Sequence, residues 1–199
     1  MIGSERMSRG VNHPYNIGVD GHNRHSIRLS GYDYAQPGAY FVTLCTQCTH
    51  GRATLFGDII DDAMHLTEYG EIAQAYWQAI PRHFPFSKLD AFVIMPNHIH
   101  GILWIVDRGQ YKAGDASAQP DAPIGTTPNS LGAMIQNFKS VTTRHINRAR
   151  AMPATPLWQH NYYDNIIRNE QALQRIREYI LANPLQWARD EEYPLRSKP

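Results

Sequence analysis

Residues 89–106 read LDAFVIMPNHIHGILWIV, and the folding of this stretch decides the rest of the chain. Two apolar runs, residues 89–95 and 98–106, flank Pro96-Asn97. Each has strand length and is rich in β-branched and aromatic residues, and the Pro-Asn step between them is a turn or break. They are predicted to be two strands paired with each other. Upstream, residues 40–47 (YFVTLCTQ) follow a Pro-Gly turn and read as another strand, and the LFGDIIDDAMHL stretch after them reads as irregular. Thr67 caps a helix to about residue 80, with Tyr69, Ile72, Ala73, Tyr76 and Ile80 at helical spacing and Pro81 as its end. Downstream, Ser130 caps a helix to about residue 149 with Leu131, Met134, Ile135, Phe138, Val141 and Ile146 on its apolar stripe. Residues 157–167 are expected to be extended in part. Asn169 caps a last helix to about residue 182 with Leu173, Ile176 and Ile180 inward, and Pro184 disfavours helical geometry at Asn183.

The predicted order is strand, helix, strand, strand, helix, strand, helix. That is an α+β chain with a ferredoxin-like βαββαβ core, an antiparallel sheet and one additional C-terminal helix. The architecture hosts many functions and selects none.

With 199 residues, 42% hydrophobic and 19% charged, the chain fits one globular domain. Residues 1–30 lack periodicity and read as a flexible extension, leaving 31–199 as the domain. Residues 107–128, rich in Gly, Ala, Pro and Asp, read as a mobile insert. No apolar run approaches the roughly 20 residues of a membrane span, and the first residues carry no secretory pattern. A soluble cytoplasmic protein without membrane contact is expected. Cys45 and Cys48 form a lone C-x-x-C in a strand-like run, where an offset of three points the side chains apart, so they read as ordinary reduced cysteines. The net charge of +1 is a cancellation. Residues 57–71 hold Asp58, Asp61, Asp62, Glu68 and Glu71 without a Lys or Arg, and residues 129–150 hold Lys139, Arg144, Arg148 and Arg150 without an acid. A polarised surface of that kind does not exclude nucleic acid.

Two groups of residues carry chemistry. His98 and His100 stand two apart in a strand and so project from one face, where two imidazoles can ligate one divalent metal. Two half-exposed histidines on a sheet are the plainer reading. In the last helix, Tyr179 and Asn183 are four apart, on one face and about 6 Å along the axis, with Arg175 a turn earlier. Their plainer reading is an amphipathic residue at the core edge and a helix terminator ahead of Pro184.

The combination MPNHIHGI, SLGAMIQNFKS, WQHNYYDNIIRNE and IREYILANP, in that order, resembles the REP-associated tyrosine transposases. These are a branch of the single-tyrosine, His-hydrophobic-His endonucleases that includes the smallest insertion-sequence transposases. The likeness runs from about Gly31 to Trp187. It implies that His98 and His100 bind the metal, that Tyr179 is the nucleophile and that Asn183 is the third ligand, with asparagine where related transposases commonly carry glutamine. It implies Mg²⁺ or Mn²⁺, a 5′-phosphotyrosine intermediate, and a single-stranded or hairpin DNA substrate built on REP-like palindromes. No P-loop is present, consistent with strand rejoining that needs no nucleotide cofactor. The resemblance also implies a monomer. Tyr162 and Tyr163 are rival nucleophiles by residue type, and candidates for stacking on unpaired bases together with Trp158, for which core packing is equally open. Lys139, Arg144, Arg148, Arg150 and Arg175 are candidate phosphate contacts. Two other classes stay open: a non-catalytic single-stranded nucleic-acid-binding module on the same fold, and a metal-dependent hydrolase using the His-x-His pair.

Overall fold

A computed structural model describes residues 29, 31–47, 54–107 and 127–189. Residues 1–28, Cys48 and nearly all of the 107–128 insert fall outside it, so the extension and the insert lie outside the described residues, as does the second half of the C-x-x-C.

The sheet is built from β1 (Gly38–Cys45), β4 (Ser87–Ile94), β5 (His98–Ile105) and β6 (Tyr163–Ile167), in the order β4-β5-β1-β6. Every neighbouring pair is antiparallel. β1 and β4 are joined through α1 (Glu68–Gln78), and β5 and β6 through α3 (Leu131–Ala149). Each connection skips one strand of the sheet. Side chains alternate, so each strand serves two faces. Tyr40, Val42 and Leu44 of β1 and Ile99, Leu103 and Ile105 of β5 join Ala73, Trp77, Met134, Ile135, Phe138 and Ile146 in one core under α1 and α3. Ala39, Phe41 and Ile102 face the other way and meet Leu173, Ile176 and Ile180 of α4 (Glu170–Ala182). Both faces are covered, which is why β1 and β5 are nearly continuous apolar runs.

The caps fall where the sequence puts them. Thr67 accepts from the Gly70 amide, Ser130 from Ala133 and Asn169 from Ala172, each satisfying an orphan donor of the first turn. Gly101 is required by packing: a Cβ there would collide with the buried indole of Trp77.

Three local expectations are corrected, and the partly extended stretch 157–167 is as expected. The stretch expected to be irregular folds as a hairpin, β2 (Gly57–Ile60) with β3 (Ala63–Leu66). Its two-residue turn is Asp61-Asp62, both at positive φ (50° and 60°), the conformation of a hairpin turn usually signalled by Asn-Gly. Pro81 does not end the helical path. It opens a short second helix, α2 (Ile80–His83), because proline's missing N–H is harmless in a first turn. Of residues 157–167, only Trp158 makes an isolated bridge, to Thr46, before β6 begins at Tyr163. Asn183 keeps helical angles (φ −60°, ψ −42°) despite the following proline. The chain tightens there into a 3₁₀ turn, Pro184–Arg189.

Candidate active site

The site lies on the α4 face, where β5 and β1 run side by side. Register places Thr43 opposite His100 and Cys45 opposite His98. His98 is fully buried and His100 is 5% exposed. Their Nε2 atoms approach to 3.0 Å. The outer nitrogens face oxygen: His98 Nδ1 lies 2.9 Å from Asn97 Oδ1, and His100 Nδ1 lies 2.8 Å from Thr43 Oγ1. An amide oxygen can only accept, so His98 carries its proton on Nδ1 and leaves its Nε2 lone pair directed inward. A threonine hydroxyl can accept or donate, so it can hold His100 in either tautomer. The Phe41 ring stacks on His100 at 5.5 Å between centroids and fixes the imidazole plane.

The tyrosine helix supplies the other wall. Tyr179 Oη is 3.3 Å from His100 Nε2, and its ring meets Phe41 edge-on. One turn on, Asn183 is 2% exposed, and its Oδ1 is buried with no hydrogen-bond partner among the described residues. The 3₁₀ turn that follows brings Trp187 against His98, at 5.9 Å between ring centroids.

These features test the fit of a divalent ion. Two imidazoles whose Nε2 atoms converge, and whose Nδ1 atoms are held by oxygen partners, have the orientation that a divalent ion bound between them would require. The orphaned Asn183 oxygen, one helical turn beyond Tyr179, would be a third donor, and leaving such an atom buried and unpaired costs about 1–3 kcal/mol. Among the described residues no group of three or more His, Cys, Asp or Glu could hold a metal. A complete protein cage is therefore absent there, and a site of two nitrogens and one amide oxygen leaves positions for water or substrate. That donor set suits Mn²⁺ at least as well as the harder Mg²⁺.

Other candidate residues are distributed differently. The rival tyrosines point apart. Tyr163 lies edge-on to Phe41 at 6.2 Å, on the site's face, whereas Tyr162 packs against the core under α3. Trp158 is a core residue, donating its indole N–H to Thr142 and packed between Phe56 and Phe138. The basic helix α3 lies across the sheet from Tyr179, so its cations are not brought together with the histidines. Lys139 is turned inward: its ammonium sits 2.9 Å from the Gln159 carbonyl, 3.4 Å from that of His160 and 3.0 Å from that of Asn161, with the Tyr162 ring alongside. Burial pushes it down to about 8, so it stays largely protonated at neutral pH and keeps donating. Arg150 folds back onto Asn147. Arg144 and Arg148 are exposed on α3, and Arg175 on α4. Cys45 is half-buried.

Sequence reasoning missed one pair beside the site. Arg177 grips Asp90 through two contacts of 2.8 Å. This bidentate arginine holds the Asp90 carboxyl at about 2, below its ordinary range. The partners are 87 residues apart, and no local pattern joins them.

No family model matches the sequence. The chain shares its fold with the solved structure of a REP-associated tyrosine transposase bound to a REP hairpin. The TM-score is 0.51 at 17% identity, over 84% of this chain and 74% of that one. In sequence the chain is 36% identical, over 181 residues, to an uncharacterised protein of Haemophilus influenzae (strain ATCC 51907 / DSM 11121 / KW20 / Rd), covering 90% of this chain and 97% of that protein. The chain belongs to one family with that protein. No helix among the described residues is long and apolar enough to cross a membrane.

Proposed function

We propose that the chain is a metal-dependent single-strand DNA transesterase that cleaves and rejoins DNA at REP-type hairpins through a 5′-phosphotyrosine intermediate. The observation that carries this reading is the meeting of Tyr179 with His100 at 3.3 Å, with the unpartnered Asn183 oxygen one helical turn further on. A phenol, two converged imidazoles and a buried amide oxygen serve no packing purpose together. The strand order and the two strand-skipping connections support the ferredoxin-like reading of the core. The solved neighbour's REP hairpin supports a hairpin substrate.

In this reading His98, His100 and Asn183 hold Mg²⁺ or Mn²⁺, which when bound supplies Lewis-acid polarisation of the scissile phosphate. Asn97 and Thr43 orient the imidazoles. Phe41 and Trp187 exclude water from them. Tyr179 attacks phosphorus through its hydroxyl oxygen, the P–O3′ bond breaks, and the electron pair leaves on the 3′ oxygen. That oxygen ends as a hydroxyl, and the tyrosine proton is given up in exchange. Free phenols titrate near about 10, so positioning supplies much of the acceleration. Phosphodiester energy stays in the phosphotyrosine, and a 3′-hydroxyl can reverse the step without a nucleotide cofactor. The reach of Tyr179 to the histidines of its own chain supports a monomer. Tyr163, beside Phe41, is placed to stack on an unpaired base.

Incubation with a labelled REP-type hairpin oligonucleotide and Mn²⁺, followed by a denaturing gel, tests this. The wild type is expected to give a protein–DNA adduct, and Tyr179→Phe none. Cleavage without adduct would instead make the protein a hydrolase. Binding without cleavage would make it a recognition module, and an adduct mapped to Tyr162 or Tyr163 would move the nucleophile.

A further inference from the structure

The Asp90–Arg177 pair stands outside the chemistry just described, yet it joins the tyrosine helix to the sheet. β4 carries an irregularity between Leu89 and Phe92, where its register with β5 shifts. Leu89 and Phe92 both pack toward the α1/α3 core, so the extra residue falls at Asp90-Ala91. A bulge of this kind re-aims a side chain. Here the Asp90 carboxylate is fixed before any arginine reaches it. Its Oδ1 accepts from the Ala91 amide at 2.7 Å, and its Oδ2 accepts from the Trp104 indole at 3.0 Å. Arg177 then closes the fork, Nε to Oδ1 and Nη2 to Oδ2, both at 2.8 Å. Paired N–H donors on a carboxylate add directional specificity as well as strength. The second ion pair of Arg177, to the exposed Glu170 at 3.3 Å, adds little.

Helical geometry gives the pair its meaning. At about 100° per residue, Arg177 and Tyr179 lie about 200° apart around α4. The buried stripe of Leu173, Ile176 and Ile180 runs between them on the inward side. Arg177 therefore grips β4 on one flank of the helix, and Tyr179 reaches β5 on the other. An apolar stripe lying on a sheet resists lifting but offers little resistance to rolling, because dispersion contacts are non-directional. A bidentate ion pair is directional. Were α4 to roll, Tyr179 would leave His100 before the apolar contacts were lost.

We infer that the Asp90–Arg177 pair is a positioning latch that fixes the roll of α4 and so holds Tyr179 against the histidines. The role rests on the transesterase reading, but the mechanical claim does not. Asp90 and Arg177 are positioning residues that act through Tyr179.

Two measurements on the full chain test the latch: amide hydrogen exchange by mass spectrometry, and adduct formation with the labelled hairpin and Mn²⁺. Arg177→Ala is compared with Arg177→Lys, which keeps the charge and loses the fork, and with the nearly isosteric Asp90→Asn as the variant least disturbing to folding. Arg177→Ala and Asp90→Asn are each expected to speed exchange across α4 about tenfold while α3 keeps wild-type protection. Adduct formation at saturating hairpin should fall about tenfold with hairpin affinity within twofold, and Arg177→Lys should fall between Arg177→Ala and the wild type. The latch is overturned by unchanged exchange in α4, by equal loss of protection in α3 and α4, or by weakened hairpin affinity with full turnover at saturation. The last result would make Arg177 a DNA contact. If the wild type itself forms no adduct, the transesterase reading fails, and exchange in α4 decides the latch by the same criteria.

Discussion

Beneath α1 and α3 the sheet is sealed by interlocking rings. Trp77 packs edge-on to Phe138 at 5.3 Å, and Trp158 sits between Phe138 and Phe56. Beneath α4 the same strands present His98, His100 and Thr43, and the helix answers with Tyr179 and Asn183. One face is held by shape, the other by a few directed polar contacts. The difference is that two helices cover the first face and one covers the second. The single helix brings both an apolar stripe and a polar flank. Each face leaves a buried polar atom without a partner among the described residues, the Asn183 Oδ1 here and the Trp77 indole N–H beneath α1 and α3. What sets the α4 face apart is that its unmet atom is an acceptor, one helical turn from the tyrosine that meets His100, and an acceptor is what a cation satisfies.

Adjacent residues of β5 break the comparison most sharply. His100→Ala is expected to lower adduct formation at least about 100-fold, since losing merely the groups that orient a metal-bound histidine costs about 10–100-fold in many metal sites, with little effect on urea denaturation. Gly101→Ala, one residue on and facing Trp77, is expected to destabilise by about 1–3 kcal/mol through overpacking, with activity per folded molecule retained. Equal destabilisation in the two variants would abolish the distinction between the faces.

A smaller effect is expected at Asn183. Asn183→Ala removes the orphaned oxygen without adding bulk, so stability without metal should change by no more than about 1 kcal/mol. The rise in Tm that added Mn²⁺ gives the wild type should disappear. A variant that keeps the full Mn²⁺ shift would remove Asn183 from the ligand set.

The smallest effect concerns the far face. Arg144→Ala with Arg148→Ala should reduce the salt dependence of hairpin binding by about one phosphate contact per arginine. Single-turnover cleavage of bound hairpin should be unchanged. A slower chemical step would bring α3 into the site's reach and overturn the separation of faces. Lys139 is a poor probe of this question, because its ammonium is committed to the carbonyls of residues 159–161.

Much of the fold was legible because its signals are local. Thr67, Ser130 and Asn169 announce the helices they cap, and alternation announces β1 and β5. The β2–β3 hairpin escaped because Asp61-Asp62 adopts a left-handed turn without the glycine that usually marks one. The basic residues of α3 were visible as charges, but nothing local distinguishes an exposed arginine from a lysine folded into its own loop. Arg177 escaped for a similar reason. Its value lies in a partner on another element, reached only because a bulge turns Asp90 toward α4.

The sequence by itself determined directions within elements. A two-residue period puts His98 and His100 on one face of a strand, and a four-residue spacing puts Tyr179 and Asn183 on one side of a helix. Only the tertiary structure decided that these two faces meet. It also decided that α3 and its cations lie across the sheet, and that Asn183 keeps helical geometry into the turn that seats Trp187. Backbone periodicity is fixed by covalent geometry and so can be read from the chain. The meeting of elements depends on register, a bulge and a bidentate ion pair, each a contact between residues that the sequence holds far apart.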